Sequence, residues 1–184
     1  MIDVSIIIPS TRPKSLPIVL DAISRQKHAP KYEIIIVLEA EDHSIFQSVW
    51  FPPAAKIIQQ PLHNDFGAAA KDAGIKIASG HYVVFWDDDN LYYDYALLSQ
   101  HISADKYDIG IVRAFVNGEY LPRSNNEIAL GNIDTMCLCV KTSLAKTKLW
   151  ADGCGRGSDY RWYARLMTEN PRINYSKQII GIHL

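Results

Sequence analysis

The sequence predicts an α/β protein with a mostly parallel central sheet covered by helices on both faces. Two observations predict it. Apolar runs at 4–8, 33–38 and 82–86 are short, rich in Ile and Val, and not strictly alternating, the pattern of strands buried on both sides. Between them, apolar residues recur at helical spacing: Leu16, Leu20 and Ile23 in one stretch, then Phe66, Ala70, Ala73 and Ile77 in another. Strand alternating with helix is the sequence form of a layered α/β sheet.

The elements follow in order. After the strands at 4–8 and 33–38, residues 56–60 form a weaker strand, and the strand at 82–86 closes the alternating half. Beyond residue 95 the character becomes mixed. Residues 108–116 read as a strand, and Asn117-Gly118 is a hairpin turn signal ahead of a short strand at 119–121. Residues 123–127 are polar loop, 135–140 a further strand and 143–150 a short helix. Gly153, Gly155 and Gly157 punctuate a loop, and a final helix starts near Ser158 with Tyr160, Tyr163, Ala164 and Met167 on one face. Residues 179–184 end the chain as a strand. No repeat or linker interrupts the 184 residues, which form one domain with halves at 1–95 and 96–184.

Composition removes several classes of function. Basic and acidic residues number 19 and 20, a formal charge of -1, so nucleic acid or a membrane surface is not the partner of a charge-driven contact. Three cysteines, Cys137, Cys139 and Cys154, make no disulfide framework and fit a reducing compartment. No apolar run approaches the roughly 20 residues of a membrane-spanning helix, and the first residues lack the pattern of a signal peptide. The expected location is the cytoplasm, with no integral membrane segment.

The most informative stretch is Trp86-Asp87-Asp88-Asp89-Asn90. An apolar strand runs directly into three acids, which repel one another unless something positive offsets them. They stand at the carboxyl end of a buried strand, where open α/β sheets place their ligand crevice. Asp87 and Asp89, two residues apart, share one side in extended backbone and present oxygen to a hard divalent cation, Mn²⁺ or Mg²⁺, with substrate phosphates completing the shell. Helix capping is the plainer use of such residues, but three together exceed what a cap requires.

With this stretch the chain resembles nucleotide-sugar glycosyltransferases of the GT-A fold, and glycosyltransferase family 2 in particular. The residues that carry the resemblance are Val4-Ser5-Ile6-Ile7-Ile8-Pro9-Ser10-Thr11-Arg12-Pro13, the spacing of Gly67, Lys71, Asp72, Gly74, Ala78 and Gly80, and then the acidic triplet. The resemblance implies a three-layer α/β/α sandwich with a small mixed C-terminal part. It further implies that residues 1–95 hold the nucleotide and 96–184 the acceptor side. Pro9, Ser10, Thr11 and Arg12 would then lie along the nucleotide of a UDP- or GDP-sugar, with Lys71 near its base or phosphate and Asp87 and Asp88 also on the donor. Glu39 stands in for the family's base-facing acid, and Asp72 replaces its common Asn. Asp87 and Asp89 form the metal-binding DXD motif, joined by His183. Asp159, at the start of the last helix, takes the place of the catalytic base, with Asp134 as the rival.

The activity implied is a metal-dependent, inverting, hexosyltransferase-like transfer to a hydroxyl of a glycan or glycoconjugate. Alternatives are a Mg²⁺-dependent phosphohydrolase, a sugar-nucleotide mutase, or a donor-binding domain of a longer enzyme. Residues also admit structural roles: Ser158 as N-cap and Asp159 against the helix dipole, Lys71 on a solvent face, Cys137 and Cys139 as core. Trp150 and Trp162 are read as packing, and Arg161 and Arg165 as a solvated helix face. The histidines other than His183 show no metal-ligand spacing.

Overall fold

The structure is a computed structural model that describes residues 1–123, 128–151, 155 and 157–184. Most of the polar loop expected at 123–127, together with Gly153 and Cys154, lies outside the described residues.

The alternating half folds as its pattern requires. β1 (Val4–Ser10), β2 (Tyr32–Glu39), β3 (Lys56–Gln60) and β4 (Tyr82–Phe85) pair in parallel in the order β3-β2-β1-β4. Every residue of β1 and β4 is buried, which explains their continuous apolar runs. α1 (Leu16–Ser24) and α2 (Ala68–Ile77) connect these strands. Phe66, expected on the apolar face of α2, precedes the helix and is exposed, because the chain turns through left-handed backbone at Phe66 and Gly67 before α2 begins.

Side-chain parity assigns the layers. Ile7 and Phe85 are register partners on one face. On that face lies α2, whose Gly74 brings the helix so close that a Cβ there would fall 2.5 Å from Ile7. α5 (Ser158–Leu166) packs there too, with Trp162 against Phe85 at 5.5 Å and stacked on Trp150 at 4.0 Å. Trp150 and Trp162 are core, as expected. The opposite face carries α3 (Ala96–Ala104), with Gln100 accepting the Trp86 indole N–H at 3.0 Å. α1 shares that side, its C-terminal end tied to the start of α3 by the Leu97 N–H donated to Gln26 at 2.9 Å.

The second half extends the sheet in mixed direction. β6 (Ile109–Val116) takes β8 (Leu138–Lys141) and then β7 (Glu119–Leu121), both antiparallel, and β8 joins β6 to β4. β9 (Ile173–His183) runs parallel to β6 with two register shifts, which bend it. β5 (Asn90–Tyr92) pairs antiparallel with its end, placing Asn90 opposite His183.

Several expectations are corrected here. The strand expected at 135–140 begins at Leu138, because Asp134 accepts the Met136 N–H at 2.9 Å and winds Thr135–Cys137 into a 3₁₀ turn. The helix expected over 143–150 is one turn, α4 (Thr142–Ala145). β9 begins six residues before the strand expected at 179. The buried residues of α5 are Ser158, Trp162, Tyr163 and Leu166; Tyr160, and Met167 just past the helix end, are partly buried and pack against the core, so the expected face gains Trp162 and Leu166 as its centre. Arg165 does not stand in solvent: it donates to the carbonyls of Leu149 at 2.5 Å and Trp150 at 3.2 Å. β5 and α3 have no counterpart in the sequence reading.

Candidate active site

The C-terminal ends of β1, β2 and β4 open into a cleft of about 1030 Å³. Every site residue singled out from the sequence lines it: Pro9 and Ser10 from the end of β1, Thr11 and Arg12 just after it, Glu39 from β2, Lys71 from α2, and Asp87, Asp88 and Asp89 beyond β4. The second half supplies Asp134, Asp159 and His183. The 3₁₀ cap places Asp134, the first turn of α5 places Asp159, and the β9–β5 pairing carries His183 to the residue after Asp89.

The acids of the triplet are held differently. Asp88 is buried and accepts from Ser10 Oγ at 2.5 Å and from Arg12 Nη2. Burial pushes its carboxyl up, while Ser10 and Arg12 oppose that shift. It therefore fixes the loop after β1 rather than presenting a free carboxylate. Asp89 meets Arg12 Nη1 at 2.9 Å and is partly exposed. Asp87 keeps the face parity of Phe85 and so points to α2, where the Lys71 ammonium stands 3.5 Å away.

Lys71 is not the solvent-facing lysine that its helix position also allowed. It is buried, 5.2 Å from the centre of the Trp150 ring. Burial works against its charge, yet Asp87, Asp159 and Asp134 outweigh that and hold its pKa above the usual value. Asp87 is pushed up to about 6 by burial, then drawn down by Lys71 and raised again by Asp134, Asp159 and Asp89. Asp159 is also raised, first by burial, against Lys71. Its Oδ1 accepts the Thr135 hydroxyl at 2.6 Å.

His183 Nδ1 lies 3.0 Å from Asp134 Oδ2, a charge contact that is not aligned as a hydrogen bond. Asp134 is the main cause that raises the imidazole to about 9, with burial opposing. The contact engages Nδ1 and leaves Nε2 as the ring nitrogen for another partner.

Asp87, Asp88, Asp89, Asp134 and Asp159 outnumber Arg12, Lys71 and His183 in this part of the cleft. The negative surplus and the hard oxygen donors suit a divalent cation. Among the described residues, however, no three His, Cys, Asp or Glu side chains are gathered as a protein-only metal site. A cation held here would need ligands beyond these side chains.

The sequence reading missed Thr135, the residues at 64–67 and the partners of Glu39. Asn64 and Gly67 are residue types that favour the left-handed backbone found there, which is a usable signal, but Phe66 adopts it too and carries none. Asp72 accepts the N–H groups of Trp150 at 2.6 Å and Ala151 at 2.9 Å, so it ties the far wall to α2.

A model of the family described as glycosyl transferase family 2 matches residues 5–155. Among solved structures, Staphylococcus aureus TarS residues 1–349 matches with a TM-score of 0.73 and 16% identity, over 98% of this chain and 60% of that one. Its complex with UDP matches at 0.75 and 17%, over 98% of this chain and 60% of that one. Glucosyl-3-phosphoglycerate synthase from Mycobacterium tuberculosis, in complex with Mn²⁺, UDP and phosphoglyceric acid, matches at 0.69 and 15%, over 99% of this chain and 70% of that one. The chain thus spans 60% of the TarS 1–349 length. These likenesses establish the GT-A fold that the sequence predicts. Comparison with curated proteins gave no match. No helix among the described residues is long and apolar enough to cross a membrane.

Proposed function

The chain belongs to glycosyl transferase family 2, and from that premise we propose that it is a metal-dependent inverting glycosyltransferase acting on a nucleotide-diphosphate sugar. One observation carries the proposal: carboxylates and cations from both halves of the chain converge on one acidic cleft at the ends of parallel strands. That two of the matched structures hold UDP, one of them with Mn²⁺, supports the same reading.

Residues 1–95 bind the donor and 96–184 the acceptor side. The loop Pro9, Ser10, Thr11 and Arg12 lies along the nucleotide, shaped by the hold of Arg12 and Ser10 on Asp88. Glu39 faces the base. Asp87 and Asp89, with Nε2 of His183, would hold Mn²⁺ or Mg²⁺, whose bound charge supplies stabilisation of the departing diphosphate. Lys71 keeps Asp87 ionised and oriented.

Asp159 accepts the proton of the acceptor hydroxyl as that oxygen bonds to the anomeric carbon and the bond to the diphosphate breaks on the opposite face. Thr135 orients Asp159 through its hydroxyl, donated to Oδ1 at 2.6 Å, and through its backbone N–H. Asp134 is the weaker candidate for base, because Met136 N–H and His183 already occupy its two oxygens. The acceptor is a carbohydrate or glycoconjugate hydroxyl. The location we assign is cytoplasmic, supported by Cys137 and Cys139 standing as free thiols in the core.

The test is incubation with UDP- and GDP-sugars and Mn²⁺, with product stereochemistry read by NMR. An α-linked donor should give a β-linked product. Retained configuration, or no transfer and no hydrolysis of any donor, overturns the reading. The 60% span of TarS favours a second reading, in which acceptor recognition lies on another segment and the chain alone hydrolyses donor without transferring it.

A further inference from the structure

The proposed function leaves the donor base open, and the surroundings of one carboxylate narrow it. We infer that Gln60 and His63, acting through Glu39, restrict the cleft to donors whose base carries a single imide N–H, uracil or thymine, and turn guanine away. The inference rests on reading the cleft as a nucleotide-sugar site.

In the order β3-β2-β1-β4, β2 lies two places from β4. At the usual strand spacing this sets Glu39, the last residue of β2, ~10 Å across the sheet from the strand that leads to the acidic triplet. A diphosphate held at Asp87 and Asp89 therefore directs its nucleoside over the end of β1 and its base toward Glu39.

Glu39 lines the cleft although only 3% of its side chain is exposed. Its Oε1 accepts two hydrogen bonds, from Gln60 Nε2 at 3.0 Å and from His63 Nδ1 at 2.8 Å. Gln60 ends β3 and His63 follows four residues before Gly67. Both therefore approach Glu39 from the outer side of the sheet. Oε1 is thus filled, and Oε2 is the oxygen left for a ligand.

A free carboxylate accepts two parallel N–H donors, one on each oxygen. Guanine offers such a pair in its N1–H and N2 amino group. Uracil and thymine offer one, N3–H, between two carbonyl acceptors. With Oε1 taken, Glu39 matches the imide. Guanine would press its amino group on an oxygen that already holds two N–H groups, and would lose water there without gaining a partner. Cytosine presents the lone pair of N3 to the carboxylate and is repelled.

Gln60 and His63 are positioning residues, so the test reads base preference and not activity. Titration calorimetry with Mn²⁺ measures UDP, dTDP, GDP and CDP on the wild-type chain and on the Gln60→Leu/His63→Phe double variant. It also measures each single variant, in case the double variant does not fold, and His63→Asn, which keeps an N–H near Nδ1. UDP and dTDP should bind the wild type about tenfold or more tighter than GDP, one hydrogen-bond mismatch in affinity. Removing the donors frees Oε1 and should narrow that ratio by about fivefold, and His63→Asn should keep it wide. Equal binding of GDP and UDP to the wild type, or an unchanged ratio in folded variants, overturns the inference. If none of the four nucleotides binds the wild type, the donor-site reading itself fails and the inference falls with it. That outcome is distinct from binding without preference.

Discussion

The roles of Asp159 and Asp134 separate on what each carboxylate already touches. Asp159 is held by Thr135, through the hydroxyl and the backbone N–H, whereas Asp134 has Met136 N–H on one oxygen and the His183 imidazole on the other. Asp159→Asn should lower transfer by roughly 10²–10⁴-fold, the usual weight of a general base, with nucleotide affinity unchanged by calorimetry. Near-normal transfer by that variant would move the role to Asp134. Asp134→Asn instead removes the charge that orients His183, so it should weaken Mn²⁺ binding by roughly 10–100-fold, as losing the outer partner of a metal ligand does. Lys71 presents a different case. Burial opposes its charge, and Asp87, Asp159 and Asp134 sustain it. Lys71→Met leaves Asp87 buried among like charges, and breaking such a pair costs about 3–5 kcal/mol. Urea denaturation without nucleotide measures that loss directly, and a loss below 1 kcal/mol would show that water already screens the pair.

Between elements, single side chains hold strands and loops in place. Glu33 on β2 accepts from Ser5 Oγ of β1 at 2.6 Å and from Ser79 N ahead of β4 at 2.7 Å, and pairs with Lys56 of β3 at 2.6 Å. Burial alone would raise its carboxyl, but Lys56, Ser5 and Ser79 together lower it from 4.5 to about 2. A depressed folded pKa contributes stability that is present above pH 4.5 and lost as pH falls through 2. Glu33→Gln should therefore cost about 2 kcal/mol at pH 7, less than the full shift implies because Lys56 stands half in solvent. The gap from wild type should close between pH 4.5 and 2, followed by urea melts across that range. Gly181 governs another junction: a Cβ there would lie 2.1 Å from the Leu91 carbonyl. Gly181→Ala should separate β5 from β9 at a cost of about 1–3 kcal/mol. It should also weaken Mn²⁺ binding, because that pairing sets His183 beside Asn90. Unchanged Mn²⁺ affinity in a folded variant would remove His183 from the metal site. The same elements show what the sequence could reveal. β1 and β4 were legible because burial on both faces leaves mostly apolar residues, with Ser5 and Ser10 of β1 hydrogen-bonded inside. β9 was half hidden: Asn174 pairs with Gly110 of β6, and Ser176, Lys177 and Gln178 fall in a register shift on its less buried stretch, so side-chain character does not mark the strand there. α3 was hidden because it buries Gln100 and Ser103, which break the apolar stripe. In the site, the triplet announced itself by adjacency. The Asp134–His183 contact and the partners of Glu39 join residues 49, 21 and 24 positions apart in sequence, with no motif spacing to mark them.

At the scale of the whole molecule, a formal charge of -1 conceals a strongly uneven distribution. The even balance rules out a chain that attracts polyanions at large. The cleft is worse than neutral for an anionic donor, since its aspartates outnumber the cations Arg12, Lys71 and His183. Burial raises the carboxyl of Asp87, to about 6, and pushes up those of Asp88 and Asp159. A nucleotide diphosphate entering without a cation meets net repulsion in a medium that screens poorly. A divalent cation held by Asp87 and Asp89 would offset these charges and supply attraction for the diphosphate. Nucleotide and divalent cation should therefore each bind far more tightly in the presence of the other, by the same factor. A ligand at about 100 times its Kd adds about 2.7 kcal/mol to the folded state, which for a domain of this size raises Tm by roughly 5–10 °C. UDP with Mn²⁺ should produce that shift in a thermal melt. UDP with EDTA should produce almost none, and Mn²⁺ alone only a small one, because the described residues gather no protein-only metal site. An equal shift from UDP in EDTA would show that Arg12 and Lys71 hold the diphosphate unaided, and would take the divalent cation out of the mechanism.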